Sequence, residues 1–199
     1  MEPLVPQSLN ELIEQLSQLP GVGRKSAMRY AFWLMDQEQD YLNALGDRIK
    51  HLKEAVILCE HCFRSFDEKI CDICRSPDRD KTTICVVETT EDLVQIERTG
   101  DYTGVYHVLG GAIDPLKGVN PQDLTLAELR DHITYNEATE VIVATNPTVQ
   151  GDTTVTYIRN MFQDTSNLKI TTLGRGLATG AELEYLDGDT VKNALRNRR

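Results

Sequence analysis

Four of the five cysteines stand in two pairs, Cys59-x2-Cys62 and Cys71-x2-Cys74, with eight residues between them. A CxxC turn lets both thiolates of a pair face one cation, and two such pairs at tetrahedral angles close a zinc site. In a reducing compartment five cysteines are not expected to make a disulfide framework, so the spacing points to metal ligation, with buried or redox cysteines as the alternative. With sulfur in all four positions no coordination place is open to water. The expected cofactor is therefore one structural Zn2+ per chain, held by Cys59, Cys62, Cys71 and Cys74 and doing no chemistry. His61, inside the first pair, reads as a neighbour rather than a ligand. Cys85, within the apolar run Ile84–Val87, reads as a small core hydrophobe.

A second chemistry is written in Leu19-Pro20-Gly21-Val22-Gly23-Arg24-Lys25-Ser26-Ala27. Gly21 and Gly23 let the backbone come close to a ligand, and the free N–H groups of the helix that starts here favour an anion such as a DNA phosphate. Arg24, Lys25 and Arg29 add formal charge, Lys25 and Arg29 lying four apart on one helical face. Nothing in the run reads bases, so the expected binding is sequence-neutral and steeply salt-dependent. A glycine-bracketed turn by itself merely joins two helices. The whole run, with Leu19 and Val22 locking the turn, resembles the helix-hairpin-helix motif of DNA repair proteins.

Glu88 ends a β-rich run, at the edge where α/β proteins place their chemistry. A hydrophobic strand closed by Glu, with a later strand ending Ala144-Thr145-Asn146-Pro147-Thr148, resembles the Toprim domain of topoisomerases, primases and some nucleases. Catalytic members end the later strand in Asp-x-Asp, because two carboxylates are needed to hold Mg2+ against its hydration shell. The matching positions here are Asn146 and Thr148, both neutral. A docking scaffold is the expectation; the alternative is a Toprim-family metal-dependent nuclease or primase-like enzyme in which Glu88, Asp92 and Asp152 share a Mg2+. A protein-only adaptor whose hairpin touches no DNA is a third reading.

These residues need elements to position them. Leu9, Leu12, Ile13 and Leu16 form one helical stripe, Met28, Ala31, Phe32 and Met35 a second, and Leu42, Leu45, Ile49, Leu52 and Val56 a third. From Cys59 to Arg79 the apolar fraction falls, so that stretch cannot build its own core and needs a staple. Strand runs then follow at Ile84–Val87, Val105–Leu109, Val141–Ala144 and Leu168–Leu173, with helical candidates at Asp92–Arg98, Leu124–Ile133 and Thr153–Phe162 between them. The alternation predicts an α/β multi-module chain whose mainly parallel sheet is covered on both faces. A last helix at Val191–Leu195 runs into Arg196-Asn197-Arg198-Arg199, positive charges that suit a helix C-terminus. There is no long internal repeat and no low-complexity tract.

At 199 residues, 40% hydrophobic and 26% charged, the composition is that of a globular chain, and a large multidomain enzyme is excluded. No apolar run is long enough to span a bilayer, and Met1-Glu2-Pro3-Leu4 lacks the basic head of a secretion signal, so a cytoplasmic protein without membrane contact is expected. Twenty-one Lys and Arg against 31 Asp and Glu give a net charge of −10. The average field repels nucleic acid, and DNA contact must come from a local patch.

A helix-hairpin-helix, a four-cysteine module, a Toprim-like stretch with Asn-Pro-Thr in place of acids, and Gly176-Leu177 followed by Glu182-Leu183-Glu184-Tyr185 occur in this order. The combination resembles the RecR family of bacterial recombination mediators over nearly the whole chain. Four parts are expected: residues 1–56 a helix-hairpin-helix DNA-binding domain, 57–79 the four-cysteine zinc module, 80–175 the Toprim domain, and 176–199 an oligomerisation segment. The resemblance implies a non-enzymatic, ring-shaped homotetramer that binds DNA and works with RecO, and in many bacteria RecF, to load RecA on single strands in recombinational repair. It implies Lys25 and Arg29 as DNA contacts lining the ring, and Glu88, Asn146, Pro147 and Thr148 as the edge that meets the partner. Four linked patches facing one lumen would turn weak grips into avidity. The chain departs from the family pattern at Gln150-Gly151-Asp152, where Glu-Gly-Glu is usual, and at Ala178 and Ala181, where a proline and a glycine are usual.

Overall fold

The computed structural model describes residues 5–198; the amino-terminal Met1-Glu2-Pro3-Leu4 and the last arginine of the basic tail, Arg199, lie outside the described residues. The chain divides into two units, Met1–Ala55 and Val56–Arg199. Among the described residues no helix is long and apolar enough to cross a membrane.

The first unit consists of α1 (Gln7–Leu16), α2 (Arg24–Met35) and α3 (Gln39–Ala55). Leu9 and Ile13 of α1 are buried against Ala27 and Ala31 of α2, with Val5, Leu12, Leu16 and Val22 packed around them. The first stripe thus behaves as its spacing predicts. The second does not: Met28, Phe32 and Met35 stay exposed, and the buried face is the Ala27/Ala31 row, whose small side chains admit α1 closely. The third stripe also departs from expectation, because α3 buries none of its side chains within the chain, leaving Ile49 at 67% and Leu52 at 58% exposure. Between α1 and α2 the Val22 N–H donates to the Leu19 carbonyl at 3.0 Å with Gly21 at φ +76°, a turn in which Pro20 presets one dihedral and only glycine is comfortable at the next.

The second unit opens with an antiparallel pair, β1 (Ile57–Leu58) and β2 (Ser65–Phe66), and the short α4 (Asp72–Arg75). Then come β3 (Asp80–Val87), α5 (Thr90–Glu97), β4 (Gly104–Val108), α6 (Leu126–Tyr135), β5 (Glu140–Val143), α7 (Val149–Met161), β6 (Lys169–Thr172) and α8 (Gly188–Arg196). The four long strands form one parallel sheet in the order β4-β3-β5-β6. Every predicted strand is present. Three of the predicted helices start earlier than their apolar periodicity, because the chain supplies a cap upstream: Thr89 with Asp92 for α5, Thr148 for α7 and Asp187 for α8.

Alternation along the strands sorts the core into two layers. Ile84, Val86, Val141 and Val143 face one way, against Leu129 and Ile133 of α6 and Val155 and Ile158 of α7. Cys85, Val87, Tyr106 and Val108 face the other way, against Leu93 of α5 and the four clustered cysteines. Both faces are covered as expected, the second by one helix and the cysteine module. That module also closes the edge of the sheet, the Cys62 carbonyl accepting the Val108 N–H of β4 at 2.8 Å.

Two histidines are buried beside the first layer, His107 on β4 and His132 on α6. His107 Nε2 lies 2.8 Å from the Thr125 carbonyl, which can only accept, so Nε2 carries the proton and Nδ1 accepts from His132 Nδ1 at 3.3 Å. Burial pushes His107 down to about 3 and His132 to about 4. Below the ordinary value of 6.5 the unfolded chain takes up protons that the folded chain refuses, so stability is intact above pH 6.5 and drains away as the pH falls toward 4 and 3.

Two outcomes follow from this packing. A Cβ at Gly151 would overlap the Asn146 carbonyl oxygen, so Gly151→Ala is expected to cost about 1–3 kcal/mol by overpacking, read from the urea midpoint. Between pH 6.5 and 4.5 the wild-type protein is expected to lose stability at up to about 1.4 kcal/mol per pH unit for each buried histidine, and His107→Gln/His132→Gln to show a visibly flatter profile.

Candidate functional site

The cysteine module is built from two tight knuckles. In the first, Cys59 N–H donates to the Arg64 carbonyl and Phe63 N–H to the Cys59 carbonyl, each at 2.9 Å, holding Phe63 at φ +61°. In the second, Cys71 precedes α4 and accepts the Cys74 N–H on its sulfur at 3.5 Å, while Cys71 N–H donates to Cys59 Sγ at 3.4 Å. The four Sγ atoms lie within 4.8 Å of one another, Cys62 and Cys71 at 3.6 Å. A tetrahedron with metal–sulfur bonds of about 2.3 Å has edges of about 3.8 Å, so the quartet has the dimensions of a closed metal site. Hydrogen bonding with Cys71 and burial push Cys62 up, and hydrogen bonding with Cys62 and Cys71 pushes Cys74 up, while the bonds from Cys62 and Cys74 hold Cys71 down. Four thiols this close ionise together only around a cation, which would cross-link the knuckles. His61 is outside the group and packs edge-on against Tyr135 at 5.4 Å. Cys85 is buried in the sheet face, and burial pushes its thiol up to about 12.

At the carboxyl edge of the sheet β3 and β5 are neighbours, which sets Glu88 beside Asn146. Glu88 accepts two hydrogen bonds from that one residue, from the Asn146 N–H at 2.7 Å and from Nδ2 at 3.0 Å. The Thr148 N–H donates to the Asn146 carbonyl at 2.7 Å, and its Oγ1 accepts the Gly151 N–H at 3.1 Å to start α7. Pro147 is exposed between them. The arrangement in which three acids share a Mg2+ is not assembled. Asp92 accepts from Thr89 N–H and Oγ1 at 3.0 and 2.8 Å, and Asp152 is ion-paired with Arg175, which holds its carboxyl below the usual range. Among the described residues the cysteine quartet is the one cluster of three or more His, Cys, Asp or Glu able to hold a metal.

In the first unit, Gly23 precedes α2 with no side chain capping the helix. The leading N–H groups of α2 are thus free for an anion, with no carboxylate in the first turn to compete. A Cβ on Gly23 would meet nothing, and its backbone is extended, so neither packing nor conformation calls for glycine there. Arg24, Lys25 and Arg29 are all exposed. Arg24 is partly spent, donating to Asn10 Oδ1 on α1 at 3.1 Å, and the Arg29 guanidinium lies 5.4 Å from the Tyr30 ring centroid.

Three features of these sites are not foreseen from residue order. Gly151 is required by the close Asn146 carbonyl; its signal is a glycine inside a helical pattern. Arg175 neutralises Asp152 from 23 residues downstream, a pairing with no local signal. In the C-terminal segment Ala181 N–H donates to the Ala178 carbonyl at 3.1 Å with Gly180 at φ +84°, so a closed turn forms without the usual proline.

Comparison with known proteins matches three family profiles: RecR helix-hairpin-helix over residues 9–53, Toprim domain over 82–174, and RecR C-terminal over 176–199. Among curated proteins the chain is similar to the recombination protein RecR of Saccharopolyspora erythraea, 43% identical over 191 residues that make up 96% of each chain. The recombination protein RecR of Thermobifida fusca is 44% identical over 192 residues, again 96% of each chain. That of Myxococcus xanthus is 40% identical over 196 residues, 98% of this chain and 99% of the relative.

Two measurements test the geometry. Elemental analysis of protein purified without chelators is expected to give about one zinc per chain, falling below half in Cys62→Ser together with the thermal midpoint. Asn146→Asp would set a carboxylate against Glu88; it is expected to lower the thermal midpoint and to make it rise again with millimolar Mg2+, a response absent from the wild-type chain.

Proposed function

Because the chain belongs to the RecR family, we propose that it is a recombination mediator that grips DNA without reading its sequence and turns nothing over. The observation that carries this reading is the open start of α2, where uncapped N–H groups stand beside exposed Lys25 and Arg29 in a chain whose net charge is −10. Gly21, Gly23 and Arg24 complete the grip, Gly21 by setting the turn and Arg24 by tying it to α1.

The sheet edge supports docking over hydrolysis. Glu88 is engaged by Asn146, and Asp92 and Asp152 are held by Thr89 and Arg175, so no anionic pocket for Mg2+ faces a phosphodiester. We assign Glu88, Asn146, Pro147 and Thr148 to the surface that meets a partner, RecO and in some bacteria RecF, in loading RecA on single-stranded DNA. Zinc on Cys59, Cys62, Cys71 and Cys74 is structural in this scheme.

Self-association belongs to the same reading and is supported by how little the first unit buries. Among the described residues its buried core is Leu9, Ile13, Ala27 and Ala31, so two large side chains carry most of the burial of three helices. The uncovered apolar face of α3, with Ile49 and Leu52, is the surface through which a second copy would complete that core. A ring of four chains would present four grips to one DNA strand. The four-part division at residues 1–56, 57–79, 80–175 and 176–199 corresponds in this scheme to grip, staple, docking platform and assembly segment.

The experiment is fluorescence anisotropy with labelled single- and double-stranded DNA near physiological salt. Lys25→Glu or Arg29→Glu is expected to weaken binding at least about tenfold on both substrates and to flatten the salt dependence, whereas Glu88→Ala leaves affinity unchanged. Unaltered affinity in the charge reversals, or Mg2+-dependent cleavage that Glu88→Ala abolishes, would overturn the reading.

A further inference from the structure

Away from the sheet edge, α4 and the chain on either side of it face α5 across a cavity of about 340 Å³. It is lined by Val94, by the small exposed parts of Ile73 and Leu93, and by three arginines, Arg64, Arg79 and Arg98, with two acids, Asp72 and Glu97. Arg79 is fully spent: it is ion-paired with Glu97 and donates to the carbonyls of Tyr102 and Gly104 at 3.2 and 3.3 Å. That pairing, with a bond from Tyr106, outweighs burial and keeps the Glu97 carboxyl below its usual range.

The other two arginines are not spent. Arg64 gives one nitrogen to Asp72 at 3.1 Å, and its Cζ lies over the Phe66 ring at 4.9 Å from the centroid. Its Nε is the one buried side-chain nitrogen or oxygen without a partner among the described residues. Arg98, at the end of α5 and exposed, makes no ion pair among the described residues. A cation suits a helix C-terminus, which accounts for Arg98 by itself; it accounts neither for Arg64 nor for an apolar-floored cavity between them. With Asp72 and Glu97 each neutralising one guanidinium, the site retains the charge of a single cation.

We propose that this cavity receives an acidic peptide: one carboxylate bound between Arg64 and Arg98, with a neighbouring apolar side chain on Ile73, Leu93 and Val94. The surplus of one charge matches one carboxylate and falls short of a polyanion such as a DNA strand. The apolar lining has no counterpart in a phosphodiester, and it matches an aliphatic or aromatic side chain beside an acid. Guanidinium groups bind carboxylates in a planar fork, and a guanidinium already held by an ion pair and an aromatic ring loses little freedom in doing so. The mouth at exposed Arg98 leaves room for the rest of a peptide to continue into solvent. The inference does not rest on DNA binding by the first unit.

The test is ligand-observed saturation-transfer NMR and calorimetry on the full metal-loaded chain. The probes are N-acetyl-Leu-Asp-Leu-amide, its Asn counterpart, and inorganic phosphate. The Asp peptide is expected to bind at least about tenfold more tightly than the Asn peptide, the difference a charge-assisted pair makes. Arg98→Gln should lose about the same factor and Arg98→Lys recover part of it, with circular dichroism and DNA affinity unchanged in both. Equal binding of the Asp and Asn peptides, no effect of Arg98→Gln, or phosphate displacing the Asp peptide at equal concentration would overturn the proposal, the last by showing a bare anion site.

Discussion

A parallel sheet must be covered on both faces, because its strands carry apolar side chains up and down alike. In this chain α6 and α7 cover one face, and α5 is too short to cover the other. The cysteine quartet completes the second layer, packing its sulfurs, Ile73 and Phe63 against Cys85, Val87, Tyr106 and Val108. The module and the sheet thus support each other. The module has too few apolar residues for a core of its own, and the sheet has an exposed face and an open edge without it. Cross-linking the knuckles by a metal would stabilise the sheet through that shared layer, which is how a metal remote from any substrate can matter to the whole unit.

The sheet order β4-β3-β5-β6 puts the ends of β3 and β5 side by side, at the place where α/β folds leave a crevice for ligands. The crevice here is bridged by a glutamate and an asparagine. Glu88 accepts two hydrogen bonds from a single neutral residue, and Gly151 lets α7 approach the Asn146 carbonyl so that the loop is held in that position. A second carboxylate at residue 146 would need a cation between the two acids. Asparagine removes that need by donating two hydrogen bonds to Glu88.

The first unit is governed by a different limit. Small helical units bury little, and here the two large buried side chains rest on two alanines. What remains outside is an apolar face on α3, with Ile49 and Leu52, and a cationic start to α2. In a chain of net charge −10, such a patch can attract an anion only where local charge and free amides overcome the average field.

Local chemistry was legible from residue order alone. The CxxC pairs, the Pro-Gly turn, the strand runs ending in Glu88 and Asn146, and the parallel α/β architecture all depend on neighbours within a few positions, where spacing translates directly into geometry. The tertiary structure decided what depends on distant partners. It chose Ala27 and Ala31 over Met28 and Phe32 as the buried face of α2, since close helix approach favours small side chains. It left the Ile49 and Leu52 face of α3 exposed. It paired Glu88 with Asn146 across 58 positions and Asp152 with Arg175 across 23. It also buried two histidines whose pairing has no local signal. Spacing reports which side chains can share a face; only the packed chain determines which of them meet, because that is set by strand order, helix approach and caps lying far apart in the sequence.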